Sequence, residues 1–137
     1  MVSQNINHRL SRFWLVLGCL NAAIAVALGA AAAHALKSQL LAANTLQWFQ
    51  TAHQYHQWHA LGLLFVGLLA LIRPKQRLIH VAGALMLLGM LLFSGLLYVR
   101  SLGGIVPWHG LIPFGGAALI ASWLVLAVAL CKHTDTG

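Results

Sequence analysis

Eight histidines and one acidic side chain, Asp135, set the chemistry open to this 137-residue chain. His53, His56 and His59 recur every three residues, and His34 and His109 flank segments that lead toward the same region. Neutral imidazoles are ligands for copper, zinc and haem iron, so these five residues could form a metal or haem site. Each step of three residues turns a helix by about 300°, which fans the three imidazoles of the repeat across about 120°. A neighbouring pair can therefore share an ion. His34, His56 and His59 form the set best placed to converge on one centre, yet none of these spacings is a specific metal motif. The competing reading is structural. Histidines beside Trp48, Tyr55 and Trp58 can form an interfacial belt that hydrogen-bonds to headgroups, water or neighbouring helices. A proton relay along His53, His56 and His59 would end at the purely apolar stretch 61–72.

Several reaction classes are excluded by what is missing. There is no Glu, and Asp135 sits in the C-terminal tail. Paired-carboxylate hydrolysis, calcium sites and Asp-supported Ser/His triads all need more acids than that. No nucleophile can be given both a base and an orienting group, so the chain reads as a non-enzyme, and an enzyme acting on lipid ranks third. Cys19 and Cys131 have no C-x-x-C spacing and support neither a disulfide nor a zinc finger.

The elements that must position these residues follow from composition. With 61% hydrophobic and 7% charged residues, against roughly 25% charged in soluble domains, this is a membrane protein. Residues 13–33 carry no charge, and about 20 helical residues cross a hydrocarbon core of about 30 Å. The run ends in Ala33-His34-Ala35, which resembles a signal-peptide cleavage site, but it is longer than the 7–15 residues, roughly, of such segments. A second helix must begin upstream of Ala60 to be long enough; Asn44 with Gln47 reads as a capping box that starts it near Thr45. The expected helices are 13–34, 45–72, 78–99 and 111–131, in one transmembrane domain over 1–137. Leu36, Leu40 and Ala43 share one side of a helical wheel, so 36–43 reads as a short interfacial helix.

Orientation follows from the cations flanking the spans. With both termini cytoplasmic, Arg9, Arg12, Arg73, Lys75, Arg77 and Lys132 lie inside, and only Lys37 and Arg100 lie outside. The net charge of +7 is then accounted for by orientation and anionic lipid, with no nucleic-acid partner needed. Ala25, Gly29 and Ala33, spaced by four, allow another helix to approach closely, in a medium where apolar burial gives no drive for association. The fold class is thus all-α, an integral-membrane antiparallel four-helix bundle. Packing against a second copy or another membrane protein is the runner-up use of the small residues. Asn21 is expected to bond across to another helix, Arg100 to snorkel, and His8, His80 and His133 to be surface residues of the inner side. Pro113 with Gly115 and Gly116 reads as a helix start followed by a close-packing point.

Four segments occur in order along the chain: 29–37 (GAAAAHALK), 49–61 (FQTAHQYHQWHAL), 93–98 (FSGLLY) and 112–116 (IPFGG). Together they resemble the YgdD/YwdK-like family of small bacterial inner-membrane proteins, a domain of unknown function (DUF423). The resemblance implies a tetraspan protein of the inner membrane and argues against cleavage after Ala35; it supplies no mechanism. Residues that match the family pattern are His34, Lys37, Thr51, Tyr55, His59, Ser94, Gly95, Tyr98, Pro113 and Gly116. His56 stands where the family usually has Gln, His53 where it commonly has an apolar residue, and Ile112 where Thr is usual. The expectation is a structural polar cluster of His34, Lys37, Thr51, Tyr55, His59 and Tyr98 on the outer side. Copper, zinc or haem bound through His34, His53, His56, His59 and His109 is the alternative.

Overall fold

The computed structural model describes residues 2–106 and 110–132, so His109 and His133 lie outside the described residues. Its elements are α1 (Val2–Ala33), α2 (Lys37–Ala42), α3 (Leu46–Ile72), α4 (Arg77–Met90), a π-helical turn (Leu91–Gly95), α5 (Leu96–Ser101) and α6 (Leu111–Cys131). The π turn joins α4 and α5 into one rod, so four helices are long and apolar enough to cross a membrane: His8–Ala33, Leu46–Ile72, Arg77–Ser101 and Leu111–Cys131. Among the described residues there is no strand.

Sequence neighbours run antiparallel. α1 packs on α3, and α6 packs on the α4–α5 rod, while α3 and that rod meet in the middle. The core is built from one stripe of each helix: Ala60, Leu63, Val66 and Ala70 of α3, Ile79, Ala82, Met86 and Met90 of α4, Leu119, Leu126 and Ala129 of α6, with Trp14 of α1. The faces turned away from it are equally apolar. Val26, Trp58, Ile72, Leu91 and Leu124 are each more than 60% exposed. Such a surface is stable only against hydrocarbon, where the backbone bonds of the helices are also internally satisfied.

Lipid contact gives apolar side chains no reason to prefer each other, so close approach must hold the helices together. Glycines provide it at both tight pairs. A Cβ on Gly18 would lie 2.8 Å from the backbone N of Leu64, and one on Gly67 would lie 2.9 Å from the backbone N of Leu15. Between the rod and α6, a Cβ on Gly115 would lie 2.5 Å from the backbone N of Phe93, against the π turn itself. Of the small-residue stripe, Ala25 is buried and Gly29 lies against the His53 ring, whereas Ala33 is exposed.

The ends of the helices are tied by polar side chains. At the end carrying α2, Asn44 adopts φ 54°, a left-handed conformation that Asn tolerates, and it closes the α2–α3 turn. The capping box is therefore not formed: Thr45 is the N-cap residue, without a side-chain capping bond. Its hydroxyl instead donates to the Ser101 carbonyl at 2.7 Å, satisfying a carbonyl at the end of α5. Leu40 anchors α2 by complete burial. At the opposite end, Arg73 donates to the Leu130 carbonyl at 3.2 Å and Gln76 to the Ala129 carbonyl at 3.3 Å. These are orphan carbonyls of the last turn of α6, where a cation also complements the helix dipole.

Candidate functional site

The polar residues within the spans resolve into hydrogen bonds that run between helices. His53 donates from Nε2 to the Ala25 carbonyl of α1 at 2.9 Å. His56, one step deeper, links three helices. Asn21 Nδ2 donates to the Leu17 carbonyl at 2.8 Å, which orients the amide and leaves Oδ1 to accept from His56 Nε2 at 3.2 Å. The other nitrogen of His56, Nδ1, must then be the acceptor for the Tyr98 hydroxyl of α5 at 3.4 Å. His59 points elsewhere. Its Nδ1 donates to the Tyr55 carbonyl at 2.6 Å, and its Nε2 accepts from the Trp123 indole of α6 at 3.1 Å. The fan of three imidazoles thus serves different neighbours: α1, then α1 with α5, then α6.

An indole N–H can only donate, so it fixes the tautomer of the ring it meets. Trp123 makes His59 a neutral Nδ1–H imidazole. Trp14 does the same to His80, donating to its Nδ1 at 3.0 Å. His80 is therefore no free surface residue but a half-buried link from α4 to α1, and the reason is that an indole inside a span must find an acceptor. Its Nε2 is buried and has no partner among the described residues. Trp14 and Trp123 are the residues that sequence reasoning missed; an indole within a span was the available signal.

These bonds decide how the expected clusters fare. Among the described residues, no group of three His, Cys, Asp or Glu is placed to hold a metal ion. A neutral imidazole has one lone pair to offer a metal, and those of His56 and His59 are already directed at Tyr98 and Trp123. The convergence of His34, His56 and His59 does not form. The register that sets Gly29 against His53 leaves His34 level with the first turn of α3, about 16 Å before His59 along the axis. His34 and Lys37 are exposed, and Lys37 lines a cavity of about 320 Å³ with Gly29, Phe49, Gln50 and His53. Thr51 donates to Gln47 of its own helix at 2.9 Å. Tyr55 is 42% exposed and contributes its backbone carbonyl to His59 and its ring to Phe93, 4.8 Å between centroids. Of the expected polar cluster, His59 and Tyr98 hydrogen-bond across helices through their side chains, together with His53, His56 and Asn21 from outside it. Arg100 lies over the Trp48 ring, 4.3 Å from its centroid, a cation–π contact at the α2 end of the bundle.

Comparison with known proteins matches residues 28–116 to the family described as "Protein of unknown function (DUF423)". The chain belongs to this family. Among DUF423 relatives it is 40% identical over 122 residues to the UPF0382 membrane protein YwdK of Bacillus subtilis (strain 168), covering 89% of this chain and 98% of the relative. It is 34% identical over 127 residues to the UPF0382 inner membrane protein YgdD of Escherichia coli (strain K12), covering 93% and 95%. A UPF0382 membrane protein of Staphylococcus epidermidis is 36% identical over 121 residues, covering 88% and 97%. No solved structure matches. The DUF423 chain is accordingly a multi-pass membrane protein of an uncharacterised family.

Proposed function

We propose that this DUF423 protein is a non-enzymatic tetraspan of the bacterial inner membrane, with both termini in the cytoplasm, whose histidines lock the helices to one another. The observation that carries this reading is the occupation of both ring nitrogens of His56 and of His59 by bonds to other groups of the chain. Imidazoles so engaged have no nitrogen left to act as a general base or a metal ligand without breaking a helix–helix link. The inner-membrane assignment is supported by the printed name of the Escherichia coli relative. The orientation is supported by the cation distribution. Arg9, Arg12, Arg73, Lys75, Arg77 and Lys132 fall at the end of the bundle with the α3–α4 turn, and Lys37 and Arg100 at the end with α2.

The test is elemental analysis and an absorption spectrum of the detergent-purified protein, with the same measurements on His56→Ala and His59→Ala. Each variant is expected to lose on the order of 1 kcal/mol of stability, with helical content intact. Stoichiometric copper or zinc, or a Soret band, present in the wild type and absent from both variants, would replace this reading with a metal- or haem-binding one.

A further inference from the structure

α1 and the α4–α5 rod do not close on each other completely. Between them lies a cavity of about 170 Å³, bounded by Asn21 and Leu28 of α1, His56 of α3, and Leu91, Ser94 and Tyr98 of the rod. Ile24 and Leu91 line it and are themselves 51% and 61% exposed, so the cavity reaches the lipid-facing surface. Ser94 lies seven residues before the end of α5, about 10 Å inside the bundle by helical rise.

Two independent observations set this cavity apart from a packing gap. Ser94 is 2% exposed, and its hydroxyl has no partner among the described residues. A buried hydroxyl in hydrocarbon surroundings without a partner is costly, so the position calls for a partner beyond the described residues. The adjacent Gly95 is the second observation. Gly18, Gly67, Gly89 and Gly115 each sit where a Cβ would strike a neighbouring backbone, but a Cβ on Gly95 would come no closer than 3.8 Å to any atom beyond its immediate helix neighbours, that atom being the Met90 carbonyl oxygen. Helix packing does not require a glycine there, and Gly95 lines the cavity beside Ser94.

The polar groups of the cavity define what it would take. Neither an acid nor a Lys or Arg lines it, so a charged guest would be uncompensated. The Tyr98 proton is directed at His56, which leaves the phenol oxygen as an acceptor, and Asn21 Oδ1 keeps a second lone pair. Ser94 can donate. A hydroxyl is the smallest uncharged group that accepts from Ser94 and donates to Tyr98 or Asn21 from one atom, and a guest that arrives from the bilayer is lipophilic. We infer that the cavity between α1 and the π turn binds an uncharged lipophilic alcohol, its hydroxyl on Ser94 and its chain leaving past Ile24 and Leu91.

The test uses the full-length protein in detergent micelles and hexadecanol carrying a diazirine, with labelling sites located by mass spectrometry. Labelling should saturate, map to α1 and the 91–98 segment, and be competed by hexadecanol at least roughly tenfold better than by hexadecyl methyl ether, which cannot donate. Ser94→Ala removes a hydroxyl that has no partner among the described residues, and Gly95→Leu fills the cavity. Both should keep the wild-type Tm to within a few degrees and lose labelling roughly tenfold or more. Non-saturable labelling, equal competition by hexadecane, or undiminished labelling of either folded variant overturns the inference.

Discussion

The bond between Trp123 and His59 offers the sharpest test of histidines as helix locks, because both partners are fixed in chemistry and geometry. The indole donates at 3.1 Å to a ring already held by its own 2.6 Å bond to the Tyr55 carbonyl. Little side-chain entropy is then lost in forming the link from α3 to α6. Double-mutant cycles inside membranes average about 0.6 kcal/mol per bond with a maximum near 1.7, and a preoriented ring belongs in the upper part of that range. We expect a coupling of about 1–1.7 kcal/mol for His59→Ala, Trp123→Phe and the double variant, measured by reversible unfolding in mixed detergent and SDS micelles. The same cycle on Tyr98→Phe and His56→Ala should give about 0.6 kcal/mol or less, since that contact is longer at 3.4 Å. A coupling near zero for the shorter bond, or a larger coupling for the longer one, would refute the assignment of these partners.

Three further outcomes follow from the same geometry. Gly115→Val drives a Cβ into the Phe93 backbone and should cost about 1–3 kcal/mol in the same unfolding assay, whereas Ile24→Leu on the lipid face should be neutral. Gly29→Ala meets only the His53 ring, which can rotate, so its loss should be smaller than that of Gly115→Val and should vanish in a His53→Ala background. Thr45→Val removes the 2.7 Å bond to Ser101 and should cost about 1 kcal/mol while leaving the N-terminus of α3 unchanged by amide exchange. For orientation, reporter fusions at Gly137 and near Pro74 should read cytoplasmic and fusions near Lys37 and Gly104 external; an external C-terminus would reverse the assignment.

The spans were legible because a bilayer demands a long charge-free helix, and charge-free runs are visible in one dimension. The 13–33 run, the 78–99 run and the 111–131 run all lie within spanning helices. The α2–α3 turn was less legible: Asn44 has the residue type of a cap, but its positive φ uses that residue for the turn instead. The polar site was readable in kind and not in pairing. Asn21 was expected to bond to another helix and does, through His56. Which helix each histidine meets depends on how α1, α3 and α6 are shifted against one another. That shift is set by contacts such as Gly18 on Leu64 and Gly67 on Leu15, whose partners come from different helices far apart in sequence. His34 looked like a partner of His59 for want of that register.

The register in turn explains why polar groups lie so deep in an apolar chain. Sliding α1 along α3 by one turn would bring Trp14 or Ala22 where Gly18 now meets Leu64, and Leu17 or Ala25 where Asn21 now meets His56. The first change forces the backbones apart, and the second leaves the His56 donor facing an aliphatic side chain. Apolar contacts alone would barely distinguish the two arrangements, because Leu against Leu and Leu against lipid are nearly equivalent. An unpaired polar group in hydrocarbon costs several kcal/mol, more than the native bond contributes when made. The histidines therefore act less by strengthening the correct bundle than by penalising every shifted one, and His59 on Trp123 imposes the same condition on α6.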